Sequence, residues 1–74
     1  RKGRGVGKSG AAVVKWVRRA AEHGNAEAQY SLGNMYITGR LVRQDSMEGL
    51  RWMAEAAAQG EERAAELLRL LRQG

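Results

Sequence analysis

The sequence predicts an all-α fold, a right-handed α/α solenoid made of two helix–turn–helix repeats. The chain of 74 residues has no proline and is rich in Ala, Leu, Glu and Arg, which are strong helix formers. It also resembles itself at a spacing of 36 residues. Glycines recur where each helix would end. Each repeat therefore consists of a first helix, called A, and a second helix, called B.

The internal repeat is clearest at its tryptophans. At a shift of 36 residues, nine of the 38 overlapping pairs are identical. They are Gly3/Gly39, Arg4/Arg40, Val6/Val42, Trp16/Trp52, Ala20/Ala56, Ala21/Ala57, Gly24/Gly60, Ala28/Ala64 and Leu32/Leu68. We expect Trp16 and Trp52 to be core residues with equivalent surroundings. The whole predicted repeat core is Trp16, Ala20, Gly24, Ala28, Leu32, Gly33, Trp52, Ala56, Gly60 and Leu68.

The first repeat is predicted over residues 9–38, after a basic, Gly-rich loop remnant over residues 1–8. Its A helix runs from about Gly10 to His23 and ends at Gly24, and Asn25 can cap the following B helix, which runs to about Ile37. That B helix has apolar residues on two sides, which is typical of a helix buried between neighbours. Gly33 would let another backbone approach it closely.

The second repeat is predicted over residues 39–74. Asp45 and Glu48 have capping-box spacing for an A helix over about 46–59. Glu61 and Glu62 then favour the start of the last helix through its dipole. That helix is polar and divergent, as expected of a terminal cap. Two repeats share only one interface, so we expect further repeats or self-association through the exposed ends. The apolar residues at those ends are Val13, Val14 and Val17, and Leu67, Leu68, Leu70 and Leu71.

Residues 20–39 resemble the Sel-one-like repeat, a relative of the tetratricopeptide repeat with slightly longer units. The similarity rests on Ala20-Ala21, Gly24-Asn25-Ala26, Ala28-Gln29-Tyr30, Leu32-Gly33 and Met35-Tyr36, and continues through Gly39, Val42, Gln44-Asp45, Trp52, Ala56-Ala57 and Gly60. The chain departs from the pattern at Leu41, Glu66, Arg69 and Arg72. The resemblance implies a tetratricopeptide-like scaffold or adaptor, often in bacterial signalling, envelope or secretion systems. Such a scaffold binds another protein or peptide through a concave face lined by the A helices.

The polar faces of the two A helices are therefore the candidate partner-binding surface. It comprises Lys15, Arg19, His23, Glu48, Arg51, Glu55 and Gln59. The same residues are also compatible with a solvated face on which Arg18–Glu22 and Arg51–Glu55 form weak ion pairs. We expect no cofactor, no metal site and no small-molecule substrate. The sequence does not specify the cellular compartment. No signal or membrane-spanning segment is visible, and both a periplasmic and a cytoplasmic location are compatible with it.

A second hypothesis concerns the basic N-terminal end. Residues 1–19 carry seven Lys and Arg and no acidic residue, within a net charge of +5. The first eight residues, which hold four of these cations and three glycines, could bind nucleic acid or another anionic surface, but no aromatic residue is interleaved with their charges. Gly3 to Ser9 resembles a phosphate-binding loop but is one residue shorter than that motif requires.

No residue pattern predicts an enzyme. His23 is the single histidine and no Cys or clustered carboxylates accompany it, and Ser9, Ser31 and Ser46 have no base partner for a hydrolytic triad. Glu61 and Glu62 are adjacent and would point in different directions on a helix.

Overall fold

The structure is a computed structural model that describes the backbone of residues 4–73 and the side chains of residues 10–73. Over this range the chain forms four helices and no strand: α1 (Arg4–Glu22), α2 (Ala26–Thr38), α3 (Ser46–Ala58) and α4 (Glu62–Gln73). The predicted all-α class is confirmed. α1 and α3 are the A helices of the sequence pattern, and α2 and α4 are the B helices.

The two central helices begin where their capping residues stand. The side chain of Asn25 accepts a hydrogen bond of 2.8 Å from the backbone N–H of Ala28, and Asp45 accepts one of 3.1 Å from Glu48. Each bond satisfies one of the free N–H groups of a helix start. The capping box is only half formed, because the Glu48 carboxylate pairs with Arg51 instead of reaching back to Asp45.

Glycines end three helices in the left-handed conformation. Gly24, Gly39 and Gly60 have φ values of 92°, 76° and 94°. Leu41, in the loop between α2 and α3, also has a positive φ, of 69°. Residues with a Cβ rarely adopt this backbone conformation, so Leu41 is a strained position.

Helix α1 is longer than expected. It begins at Arg4 rather than near Gly10, so residues 4–8 are helical and do not form the predicted loop remnant. Lys and Arg are good helix formers, and the glycines of this segment weaken a helix without blocking it. No proline intervenes. A helix from Arg4 onward also cannot wrap a phosphate group as the loop motif does. Arg1, Lys2 and Gly3 lie outside the described residues.

The core has two clusters, one on each side of the contact between α2 and α3. One contains Ala21, Leu32, Met35 and Trp52, and joins α1, α2 and α3. The other contains Met53, Ala56 and Ala64, and joins α3 to α4. Each helix packs most closely on its neighbours in sequence, and α2 lies between α1 and α3. This agrees with the two apolar sides of α2.

Two glycines bring α2 and α3 into backbone contact. A Cβ added to Gly33 would lie 2.8 Å from the carbonyl oxygen of Gly49, and one added to Gly49 would lie 2.7 Å from that of Gly33. Both distances are shorter than any tolerated carbon–oxygen contact. The sequence indicates the role of Gly33 but not that of Gly49, because the position 36 residues before Gly49 holds Val13.

The two tryptophans do not have equivalent surroundings, so that prediction is wrong. Trp52 is 7% exposed, whereas Trp16 is 67% exposed. Both tryptophans occupy the same position of an A helix, so the difference lies in what packs against each side chain. Trp52 packs on the helices of the preceding repeat, and among the described residues no preceding repeat lies against Trp16. The other predicted core residues divide by position. Leu32, Gly33 and Ala56 are buried, Ala20, Ala28 and Leu68 are half-buried, and Gly24 and Gly60 are exposed in turns.

Candidate partner-binding surface

The predicted residues on α1 form one exposed row. Lys15, Arg19 and His23 follow each other at intervals of four residues, and all three are exposed. The His23 Nδ1 atom lies 2.8 Å from the backbone oxygen of Arg19. Neither Lys15 nor Arg19 has an acidic partner within the described range. Their charges are therefore available to a partner.

The predicted residues on α3 are partly engaged with each other. The Arg51 guanidinium lies 2.7 Å from the Glu48 carboxylate and 5.0 Å from the centre of the Trp52 ring. The hydrogen bond to Glu48, together with the negative charges of Glu48 and Glu55, raises the pKa of Arg51. The ion pair runs from Arg51 to Glu48 and not, as expected, to Glu55. Glu55 is exposed, and no described cation is in salt-bridge contact with it.

Gln59 forms hydrogen bonds from the second repeat to the first. Its amide nitrogen donates to the Gly24 carbonyl oxygen at 2.7 Å and to the side-chain oxygen of Gln29 at 2.9 Å. Gln29 is buried and donates in turn to the backbone oxygen of Ala21 at 3.0 Å. This chain of bonds connects the end of α3 to the turn between α1 and α2. The amide of Gln59 is thus already used within the fold.

Tyr36 connects the surfaces of α1 and α3, a role that the sequence analysis missed. The Arg18 guanidinium donates a hydrogen bond to the Tyr36 hydroxyl and lies 5.7 Å from the centre of its ring. Arg18 is therefore not paired with Glu22. Tyr36 also packs against the core cluster that contains Trp52 of α3. The signal was present in the sequence, since Tyr36 follows Leu32 by one helical turn and belongs to the repeat motif.

The resulting surface is electrically polarised. The half on α1 carries Lys15, Arg18 and Arg19, and among the described residues of α1 an acidic side chain occurs only at Glu22, near its end. The half on α3 combines Glu48 and Glu55 with a single cation, Arg51, and so is net negative. We call this the A-helix surface.

Open depressions also lie around helix α2. Tyr30 and Asn34 line two open depressions of about 480 and 540 Å³. The first is completed by α1 and the loop after α2, the second by α4. The described range contains no cluster of His, Cys, Asp and Glu that could hold a metal ion. None of its helices combines the length and apolar character needed to cross a bilayer.

The chain matches the sequence model of a known repeat family in two consecutive segments. The sequence model of the Sel1 (Sel-one-like) repeat matches residues 1–25 and 26–61. The chain belongs to the Sel1 repeat family. The second match has the length of the predicted period, but the units are divided between α1 and α2 rather than after α2. The match confirms the family predicted from the sequence. Sel1 repeats are tetratricopeptide-like helical solenoids that typically act as non-catalytic protein-interaction modules.

The chain is similar to one curated plant protein in particular. It is 43% identical over 49 residues to the ERAD-associated E3 ubiquitin-protein ligase component HRD3A of Arabidopsis thaliana. The match covers 65% of this chain but only 7% of that relative's length. No solved structure matches the chain significantly. A bacterial setting stays a prediction of the sequence resemblance.

Proposed function

We propose that this Sel1 repeat module binds a protein partner through the A-helix surface, and that the part of the partner facing α1 is acidic. The observation that carries the proposal is the set of three cations on α1. Lys15 and Arg19 have no ion-pair partner in the described range, and Arg18 is fixed in place by Tyr36. Complementary charges at an interface accelerate encounter and select the right partner.

The net negative half on α3 would set the direction in which a partner segment binds. A partner segment that carries acidic side chains opposite α1 and a basic one opposite Glu55 would fit in one direction only. In the reverse direction, like charges would face each other at both ends, which is unfavourable. This polarity distinguishes the surface from a simple basic patch, which would accept any anion in any orientation.

The experiment is a peptide array of acidic, neutral and basic sequences, probed with wild type and with the double variant Lys15→Glu/Arg19→Glu. The matched control is Arg40→Glu/Arg43→Glu, which changes the net charge equally at two exposed loop positions. We expect the first variant to lose at least about ten-fold in binding to acidic peptides, and the control to lose much less.

Two results would contradict the proposal. Equal losses in both variants would show that only net charge matters. Tighter binding to duplex DNA than to any peptide, with a steep dependence on salt, would instead support the hypothesis of a small basic nucleic-acid-binding module.

A further inference from the structure

The contact between the two repeats has a knob and a socket. The knob is Trp52 of α3, and its socket is formed by Ala21 of α1 with Leu32 and Met35 of α2. A hydrogen bond from Gln59 to the carbonyl of Gly24, in the turn after α1, supports the same contact. One aromatic side chain and one polar bond thus position the second repeat on the first.

The same parts recur 36 residues apart, where no other helix of the described range covers them. Trp16 stands in the position of Trp52, and Ala57, Leu68 and Leu71 stand in the positions of Ala21, Leu32 and Met35. Trp16 is 67% exposed and Leu71 is 47% exposed, whereas Ala57 and Leu68 are half-buried. The first helix therefore presents a second knob, and the last two helices present a second socket.

We propose that a second copy of this chain occupies these faces, end to end. Trp16 of one copy packs into the socket of Ala57, Leu68 and Leu71 of the next copy. His23 corresponds to Gln59 and Gly60 corresponds to Gly24, but the Nδ1 atom of His23 already contacts the Arg19 backbone oxygen, so this junction lacks the counterpart of the hydrogen bond from Gln59 to Gly24. Gly60 and Gly24 have nearly the same φ, 94° and 92°, so the two turns present their carbonyls alike.

The contact between copies is weaker than the contact within one copy. Gly33 and Gly49, which allow the backbones of α2 and α3 to touch, correspond to Arg69 and Val13. The helices of two copies therefore lie farther apart. Both faces also carry cations, since Lys15 and Arg19 flank Trp16 and Arg72 follows Leu71. Salt screens this repulsion, so association becomes stronger as ionic strength rises.

The arrangement is heterologous, because each copy uses two different faces. A stack of two copies still has a free knob at one end and a free socket at the other, and longer stacks can grow from it. This distinguishes the proposal from a two-fold dimer in which Trp16 of one copy packs on Trp16 of the other. A two-fold dimer closes and does not grow.

Sedimentation velocity of the 74-residue chain across a concentration series tests the proposal. The two blocking variants are Trp16→Glu, which removes the knob, and Leu71→Arg, which fills the socket. Met47→Glu and Leu70→Arg are the matched controls, because these residues are 78% and 54% exposed but lie outside both faces. Circular dichroism of all four variants verifies that the monomer stays folded.

We expect wild type and both controls to form dimers and larger species, more so at higher salt. Each blocking variant alone should associate at least ten-fold more weakly. An equimolar mixture of the two should restore a dimer and nothing larger, because the intact socket of one variant receives the Trp16 of the other. This complementation is specific to contact between unlike faces.

Three outcomes would overturn the proposal. Wild type could stay monomeric at all concentrations and salt levels. The mixture could fail to restore a dimer, or Leu71→Arg could associate as wild type does. Peptide binding by the A-helix surface is measured independently, so failure here leaves the proposed function standing.

Discussion

Replacement of Trp52 by alanine should remove most of the stability of this domain. A tryptophan side chain can bury about 200 Å² of surface, and Trp52 is only 7% exposed. At about 25 cal/mol per Å², this burial corresponds to about 5 kcal/mol, and measured Trp→Ala losses in cores are about 3–5 kcal/mol. Trp16 is 67% exposed, so Trp16→Ala should cost about a third as much and leave no cavity.

Urea denaturation followed by circular dichroism measures both losses, at a chain concentration low enough to keep the protein monomeric. Because Trp52→Ala could leave no folded protein to titrate, Trp52→Phe provides a milder second variant. The buried indole N–H of Trp52 has no hydrogen-bond partner in the described range. Trp52→Phe therefore loses packing volume but no hydrogen bond, and should cost less than Trp52→Ala.

Acrylamide quenching gives an independent measurement. Wild type should contain one readily quenched indole and one protected indole, and Trp16→Phe should retain only the protected one. Equal losses of stability for Trp16→Ala and Trp52→Ala, or equal quenching of the two indoles, would refute the assignment of one buried and one exposed tryptophan.

Three more predictions concern the contacts around this core. In thermal melts, Gly33→Ala and Gly49→Ala should each destabilise the fold by about 1–3 kcal/mol by forcing α2 and α3 apart. The control Gly10→Ala meets only the end of a flexible side chain at 3.3 Å, so it should be neutral or stabilising by up to about 1 kcal/mol. Gln59→Ala should cost about 1 kcal/mol in urea denaturation through its lost hydrogen bonds, and an unchanged midpoint would contradict its bridging role. Hydrogen bonds from the neighbouring arginine guanidinium and from two backbone N–H groups lower the pKa of Glu61. The stability that Glu61 adds is therefore complete above the ordinary glutamate pKa and is lost as pH falls through the lowered value, so melts from pH 6 to pH 3 should show a shallower loss for Glu61→Gln than for wild type.

The sequence specifies the helix boundaries well where a capping side chain marks them. Asn25 and Asp45 place the starts of α2 and α3 correctly, because each supplies an oxygen for a free backbone N–H group. No such residue marks the start of α1, so its first turns escaped prediction. Propensity alone distinguishes poorly between a weak helix and a loop in a segment that combines Gly with Lys and Arg.

The sequence also specifies which face of a helix is apolar, but not what lies against that face. Trp16 and Trp52 occupy the same position in the repeat, yet within the described range the helices of another repeat pack only against Trp52. Similarly, the link from Arg18 to Tyr36 depends on the angle between two helices, which no spacing in the sequence encodes. The candidate surface was therefore predicted in its location, while its internal contacts required the structure.

Packing between neighbours in sequence also determines how this domain opens. Helix α4 contributes only one buried residue, Ala64, and that residue packs in the cluster shared with α3. The amide protons of α4 should exchange with solvent by local unfolding, whereas those at the contact of α2 with α3 should exchange only on global unfolding. In a linear array, stability is a sum over units and junctions, so an added neighbour slows exchange first in the unit that it touches. Hydrogen exchange in α1 and α4 should therefore report whether a neighbour is bound at either end of the domain.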